Sequence, residues 1–306
     1  MVIVDSEAGF PWNCNSVVDK IYKTDNYYIN VNKRKTGRII IFFSGNGLYY
    51  PNTKETFEKV IIQKNRYEWE HVAKAKVVQK YYEKIIFVRD VYKQWYVKGI
   101  NPRIDTVDKI VGLLQELTKG YEVTTCGNSA GGYMAVLAGT QLNAKKIFSF
   151  SGQYSVEDEL KKPVRESPLI HKYKLEKNRN CYFSLISYLK EMERDIFYFY
   201  PGKCQYDIEQ HNLIKECSIF EFKFDSDSHG NTVRKECYPY ILVSDSKELR
   251  QLAEYYKDNW INKQEFYKRL LPGPIKFICD IRYFMKRCID KLILVFRILG
   301  RFIYWK

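Results

Sequence analysis

"TTCGNSAGGYMAV", residues 124–136, sets a serine among glycines, directly after a β-branched run and directly before a run of small and apolar residues. The preceding "YEVTTCG" reads as a strand. "AGGYMAVLAGTQL" reads as a helix suited to tight packing on a sheet. Strand, sharp turn and helix together hold a serine in a strained conformation at a strand tip, and the flanking Gly127 and Gly131 permit that turn. The hydroxyl of Ser129 would then face outward at a helix N-terminus, where developing negative charge is favoured. The competing reading is a serine in an ordinary glycine turn.

Working outward, short apolar or aromatic runs alternate with longer amphipathic stretches, the pattern of strands joined through helices into a mostly parallel sheet. The runs are "RIIIFFSG", "KIIFVRD", "YEVTTCG", "KIFSFSG", "DIFYFYPG" and "SIFEFKFDSD", each ending in or near Gly, Ser or Asp. Ligands of open α/β sheets collect at the carboxyl ends of strands, so chemistry is sought in the loops that follow. Residues 54–84 and 106–119 read as helices. The Lys-, Arg- and Tyr-rich stretch 156–192 is longer than a crossover needs and reads as a cap. The main domain is placed at 1–260. After a Pro/Gly break, "IKFICDIRYFMKRCIDKLILVFRILGRFIYWK" carries apolar residues at three- and four-residue spacing with basic residues between them. The tail 261–306 is therefore expected to hold a basic amphipathic helix, too interrupted by charge to span a bilayer. It would pack on protein or lie on an anionic membrane surface.

With 306 residues, 45% of them hydrophobic, the chain can bury a full-sized core. The formal net charge of +14 suits a polyanionic partner such as an acidic polymer or anionic headgroups. No nucleic-acid-binding motif accompanies the charge, so no nucleic acid is expected. The eight cysteines are scattered, without a C-x-x-C or a Cys/His cluster at metal-ligand spacing. They read as reduced thiols, no metal is expected, and the N-terminus shows no secretory pattern. The expectation is a cytoplasmic protein, peripheral at the inner face of the cell membrane if the tail binds lipid.

Gly127-Asn128-Ser129-Ala130-Gly131 fits G-x-S-x-G, and in its strand-turn-helix setting the chain resembles the α/β-hydrolase superfamily. The resemblance implies an α/β-hydrolase fold, with a mostly parallel central sheet and helices on both faces. It also implies a nucleophile at Ser129, then an acid after a later strand, then a histidine. "FKFDSDSHGN" places His229 just after the last strand-like run, whereas His211 lies in a helical stretch, so His229 is assigned as the base. Asp207, shortly after "DIFYFYPG", stands where the family's acid-bearing loop belongs. Asp225 and Asp227 are its rivals, ranked second because they lie so close to His229 along the chain. By the same resemblance, an oxyanion hole would use the N–H of Ala130 and that of either Gly45 or Asn46, at the end of "IIIFFSGNG".

The order Gly-x-Ser-x-Gly-Gly, a Gly-Lys turn ahead of the acid and a final His also resembles bacterial hydrolase-like proteins that O-acetylate capsular or other surface polysaccharides. That resemblance implies an acyl-enzyme formed from acetyl-CoA and resolved by a sugar hydroxyl, with no cofactor permanently bound. "VRDVYKQWYVKGI" and the cap supply aromatic and basic side chains, of which Tyr92, Trp95 and Lys172 are the candidate substrate-binding residues. The alternatives are a carboxylesterase of a small soluble ester and a non-catalytic binding protein on a hydrolase scaffold.

Overall fold

The computed structural model describes residues 15–190, 194–230, 232–277 and Ile281. The expected basic helix of 275–306 therefore lies largely outside the described residues. No helix among the described residues is long and apolar enough to cross a membrane.

Seven strands form one sheet: β1 (Tyr27–Val31), β2 (Arg38–Phe43), β3 (Lys84–Val88), β4 (Glu122–Asn128), β5 (Lys146–Phe150), β6 (Ile196–Pro201) and β7 (Phe220–Phe224). Their order is β1-β3-β2-β4-β5-β6-β7. All neighbours run parallel except β1, which pairs antiparallel with β3 at the edge. This is the mostly parallel, helix-covered sheet of the α/β-hydrolase fold. All six strand-like runs of the sequence are in it. The edge strand β1 is an addition that its "YYINV" did not announce.

Period-2 geometry sends alternate side chains of each strand to opposite faces. In β2, Ile39, Ile41 and Phe43 enter one core while Ile40 and Phe42 enter the other. In β6, Ile196, Tyr198 and Tyr200 face the first, and Phe197 and Phe199 the second. Parallel strands buried on both faces must be apolar throughout, which is why these runs show little polar alternation. On the second face phenylalanines align across strands, with ring centroids 4.7 Å apart for Phe150–Phe199 and 4.4 Å for Phe199–Phe222.

The helix Ala130–Gln141 is buried on nearly every side and lies against β2, β4 and β5. Glycines make that approach possible. A Cβ on Gly127 would come within 2.0 Å of the Gly131 carbonyl oxygen, and one on Gly131 within 2.3 Å of the Phe43 carbonyl oxygen. Both obstacles are backbone, so neither can swing aside. Gly127→Ala is expected to cost about 3 kcal/mol or more through overpacking. Gly112→Ala is the control: it lies in the helix Val107–Thr118 with nothing within 4 Å of its Cβ position, and it should stabilise by roughly 0.5–1 kcal/mol. Chemical denaturation of both variants checks the pair, and equal midpoints would count against the close approach.

Residues 54–84 do not form one helix. They divide into short turns at Lys54–Phe57, Glu58–Gln63, Glu70–Ala73 and Lys76–Tyr81, followed by β3. Asn65 and Trp69 take positive φ between them. Tertiary bonds overrule helical propensity there: the Trp69 ring stacks on Phe42 at 5.7 Å and its indole N–H donates to the Phe43 carbonyl at 3.3 Å.

Connections from β2 and β4 leave in opposite directions, to β3 on one side and to β5 on the other. The crevice at their carboxyl ends is the switch point of the sheet, where such folds bind ligands. It is flanked by the loop 44–47 and by Ser129.

Candidate active site

Ser129 is the first residue after β4 and the N-cap of the helix Ala130–Gln141, at φ 55 and ψ −122. Non-glycine residues avoid this region because Cβ is crowded, at a cost of about 1–3 kcal/mol. The surroundings hold it there. The Ser129 N–H still donates to the Phe150 carbonyl on β5 at 2.9 Å, and the helix begins at the next residue.

The Ser129 hydroxyl meets the imidazole of His229, with Oγ 2.9 Å from Nε2. On the far side of the ring, Nδ1 lies 2.8 Å from Oδ2 of Asp207. A carboxylate can only accept, so Nδ1 carries a proton and Nε2 is free to accept from the serine. Asp207 sits in the first turn of the helix Gln205–Leu213 and is 1% exposed, whereas the His229 side chain is 33% exposed toward the crevice. The imidazole is positioned by its own loop, where the Gly230 N–H donates to the Ser151 hydroxyl at 3.1 Å, and by the Tyr206 ring set edge-on at 5.5 Å. Other groups of the same types have different employment. His211 pairs with Glu221 at 2.8 Å, His171 bonds the Lys162 carbonyl at 3.1 Å, and Asp225 pairs with Lys203.

Cys204, Asp207 and His229 bring donor atoms within 4.8 Å of one another. Burial and the neighbouring Asp207 both push the Cys204 thiol upward, keeping it protonated. A protonated thiol is a poor metal ligand. The carboxylate and imidazole are already bonded to each other, so this donor set fits a hydrogen-bonded relay.

The sequence leads one to expect two backbone donors beside Ser129. Ala130 opens its helix, and first-turn N–H groups have no partner within the helix. At the end of β2, the Gly45 N–H is donated to the carboxylate of Glu68. Tyr96 braces the same turn through its hydroxyl, which donates to the Ser44 carbonyl at 2.8 Å. Glu68 has no motif around it, and its place beside the loop follows only from the broken segment 54–84. Burial pushes its carboxyl up to about 7, against the opposing pull of the Gly45 N–H. The folded state therefore binds this proton more tightly than the unfolded chain. Stability from this group is full below the ordinary value of 4.5 and is lost as pH rises toward about 7. Glu68→Gln should abolish that loss. Melting curves of the two proteins between pH 4 and 8 should converge at the acid end and separate at the neutral end, and parallel curves would refute the assignment.

A cavity of about 450 Å³, lined by Asn46, Asn52, Lys93, Trp95, Lys162 and Tyr206, among others, lies next to the relay through Tyr206, whose ring meets that of His229. Of the sequence-derived substrate contacts, only Trp95 lines it. Tyr92 is core: its hydroxyl donates to Asp19 at 2.7 Å and its ring meets Tyr22 at 4.9 Å. Lys172 is exposed on the helix Pro168–Tyr173 with its ammonium near the Tyr173 ring, and it is not part of the cavity lining. What shapes the loop is Asp90, whose buried carboxylate accepts from the N–H groups of Tyr92, Gln94 and Tyr96 at 2.8–3.0 Å. Wrapping the chain around one carboxylate forces Lys93, Trp95 and Tyr96 to positive φ, and so turns Lys93 and Trp95 toward the cavity.

No protein-family model matches the sequence, and no curated protein does. Solved structures do match. Acylaminoacyl peptidase of Pyrococcus horikoshii is 13% identical at a TM-score of 0.43, over 76% of this chain but only 39% of the peptidase. The capsule O-acetyltransferase of Neisseria meningitidis serogroup A is 16% identical at a TM-score of 0.46, over 77% of this chain and 91% of the other. An α/β hydrolase from the metagenome of Mar Chica lagoon sediments in Morocco is 17% identical at a TM-score of 0.40, over 77% and 97%. At such identities the likeness is one of fold alone.

Proposed function

We propose that the chain is a serine acyl-transfer enzyme working through an acyl-enzyme at Ser129, with acetyl-CoA as donor and a bacterial surface glycan as acceptor. The observation that carries the reading is the continuous relay from Ser129 Oγ through both nitrogens of His229 to the buried Asp207. His229 removes the serine proton as Oγ attacks the acyl carbon, and Asp207 stabilises the imidazolium that forms. The proton then goes to the departing group. In the second half-reaction His229 activates the incoming hydroxyl in the same way. Charge on the acyl oxygen is received by the Ala130 N–H and, because Gly45 is engaged by Glu68, by the Asn46 N–H.

The cavity supports a polar, hydroxyl-rich acceptor. Trp95 and Tyr206 supply aromatic rings to its lining, Lys93 donates to Asn52 within it, and Lys162 is paired with Glu159 at 2.6 Å. A greasy acyl chain would leave these groups desolvated.

Intact-mass analysis of wild type and Ser129→Ala after exposure to acetyl-CoA tests the reading, with a fluorophosphonate in parallel. An acetyl adduct on wild type alone, discharged by glycan hydroxyls faster than by water, is the expected result. Fluorophosphonate labelling without acetylation would replace acetyl-CoA by another ester. Absence of both adducts would refute the acyl-enzyme.

A further inference from the structure

The side chain of Gln153 reaches the nucleophile, and the relay described above gives it no part. It lies just after β5 and is 1% exposed. Its Nε2 is 3.4 Å from Ser129 Oγ and 3.2 Å from the Ser151 carbonyl oxygen. Its Oε1 accepts from the Trp95 indole N–H at 3.0 Å. An indole nitrogen can only donate, so the amide oxygen must face Trp95 and the NH2 must face the serine. Trp95 is itself fixed by the loop wrapped around Asp90, and no other rotation of the amide satisfies both ends.

We propose that Gln153 is a catalytic residue that donates a hydrogen bond to Ser129 Oγ and is locked in that orientation by Trp95. This rests on the reading of Ser129 as a nucleophile. With Gln153 donating to it, Oγ has one acceptor direction occupied and its own proton directed to His229 Nε2, 2.9 Å away. In acylation the Oγ–H bond breaks, its proton passes to Nε2, and the Oγ electron pair forms the bond to the acyl carbon. The carbonyl π pair moves to the acyl oxygen and returns as the leaving group departs with the proton from His229. Gln153 transfers no proton. Its N–H stabilises the electron density on Oγ while the proton is leaving. In deacylation Oγ is the leaving atom and acquires charge again, so the same bond acts in both half-reactions. One preorganised donor in such a position is worth about 10–100-fold in rate, toward the lower end for a long bond.

The test uses the full chain and the second-order rate of fluorophosphonate labelling, which needs no knowledge of the natural substrate. Gln153→Met keeps length and removes the donor. Trp95→Phe keeps an aromatic ring in the cavity wall and removes the N–H that locks the amide together with part of the indole's volume, so it reads the proposal from the other end of the bond even if Gln153→Met unsettles the loop. Labelling is expected to fall about 10–100-fold in Gln153→Met and less in Trp95→Phe. The double variant should be no slower than Gln153→Met alone, because the indole acts only through the amide. Wild-type rates in either single variant would overturn the proposal while leaving Ser129 as the nucleophile. Losses that multiply in the double variant would also overturn it, since they indicate two separate packing defects. A wild type that does not label at all overturns the nucleophile and Gln153 together.

Discussion

Removing the Ser129 hydroxyl is expected to lower kcat by roughly 10⁵–10⁶-fold, the scale on which serine-dependent acyl transfer depends on its nucleophile. Ala and Gly replacements should share that loss and differ in stability. Ser129 is held at φ 55 and ψ −122, which an alanine tolerates no better than the serine does. Glycine has no Cβ to crowd and takes such angles freely, at the cost of a more disordered unfolded chain. Ser129→Gly should therefore unfold about 1 kcal/mol later than Ser129→Ala. Paired denaturant titrations measure the difference. Equal stability would mean that the elbow stores no strain, even if both variants were inactive.

Asp207→Asn is the second large effect, about 10⁴-fold in kcat with little change in KM. The cause is a tautomer. Asp207 is buried and accepts from Nδ1 of His229, so the proton stays on Nδ1 and Nε2 stays basic. An asparagine fits the same space but can turn its NH2 toward Nδ1. The ring would then carry its proton on Nε2, where it cannot accept from Ser129. Asp225→Asn and Asp227→Asn should keep near-wild-type rates, because neither carboxylate approaches the imidazole among the bonds the structure makes. Steady-state kinetics on an activated ester distinguishes the three. A full-rate Asp207→Asn would mean that the carboxylate only supports the loop.

Much of the site was legible because its signals are local. G-x-S-x-G is a backbone requirement: Gly127 and Gly131 are small because carbonyl oxygens lie where their Cβ atoms would be. The six apolar runs announce strands because a parallel sheet covered on both faces has no solvent side to mark with polar residues. Asp207 and His229 are expected only through the resemblance to the α/β-hydrolase superfamily, and the structure places them after β6 and β7, where their side chains meet.

The helix expected over 54–84 shows the opposite case. Its composition favours helix, and no Gly or Pro interrupts it. The break comes from Trp69 entering the core and Glu68 reaching Gly45, contacts more than twenty residues away in sequence. Tyr92 and Trp95 stand three residues apart and both belong to the core, yet only Trp95 also lines the cavity. The backbone N–H groups gathered by Asp90 decide that, and no residue-by-residue preference encodes it.

The amino-acid sequence on its own thus pointed to six of the seven strands and to the strained elbow, since both depend on steric rules that act within a few residues, whereas Asp207 and His229 came from the resemblance, with Asp225 and Asp227 still in play. Tertiary structure alone decided which N–H of the loop 44–47 is engaged, which aromatic ring lines the cavity, and that Gln153 reaches Ser129. Those outcomes depend on hydrogen-bond partners brought together from separate loops. A buried donor or acceptor must find its partner wherever the fold has placed one.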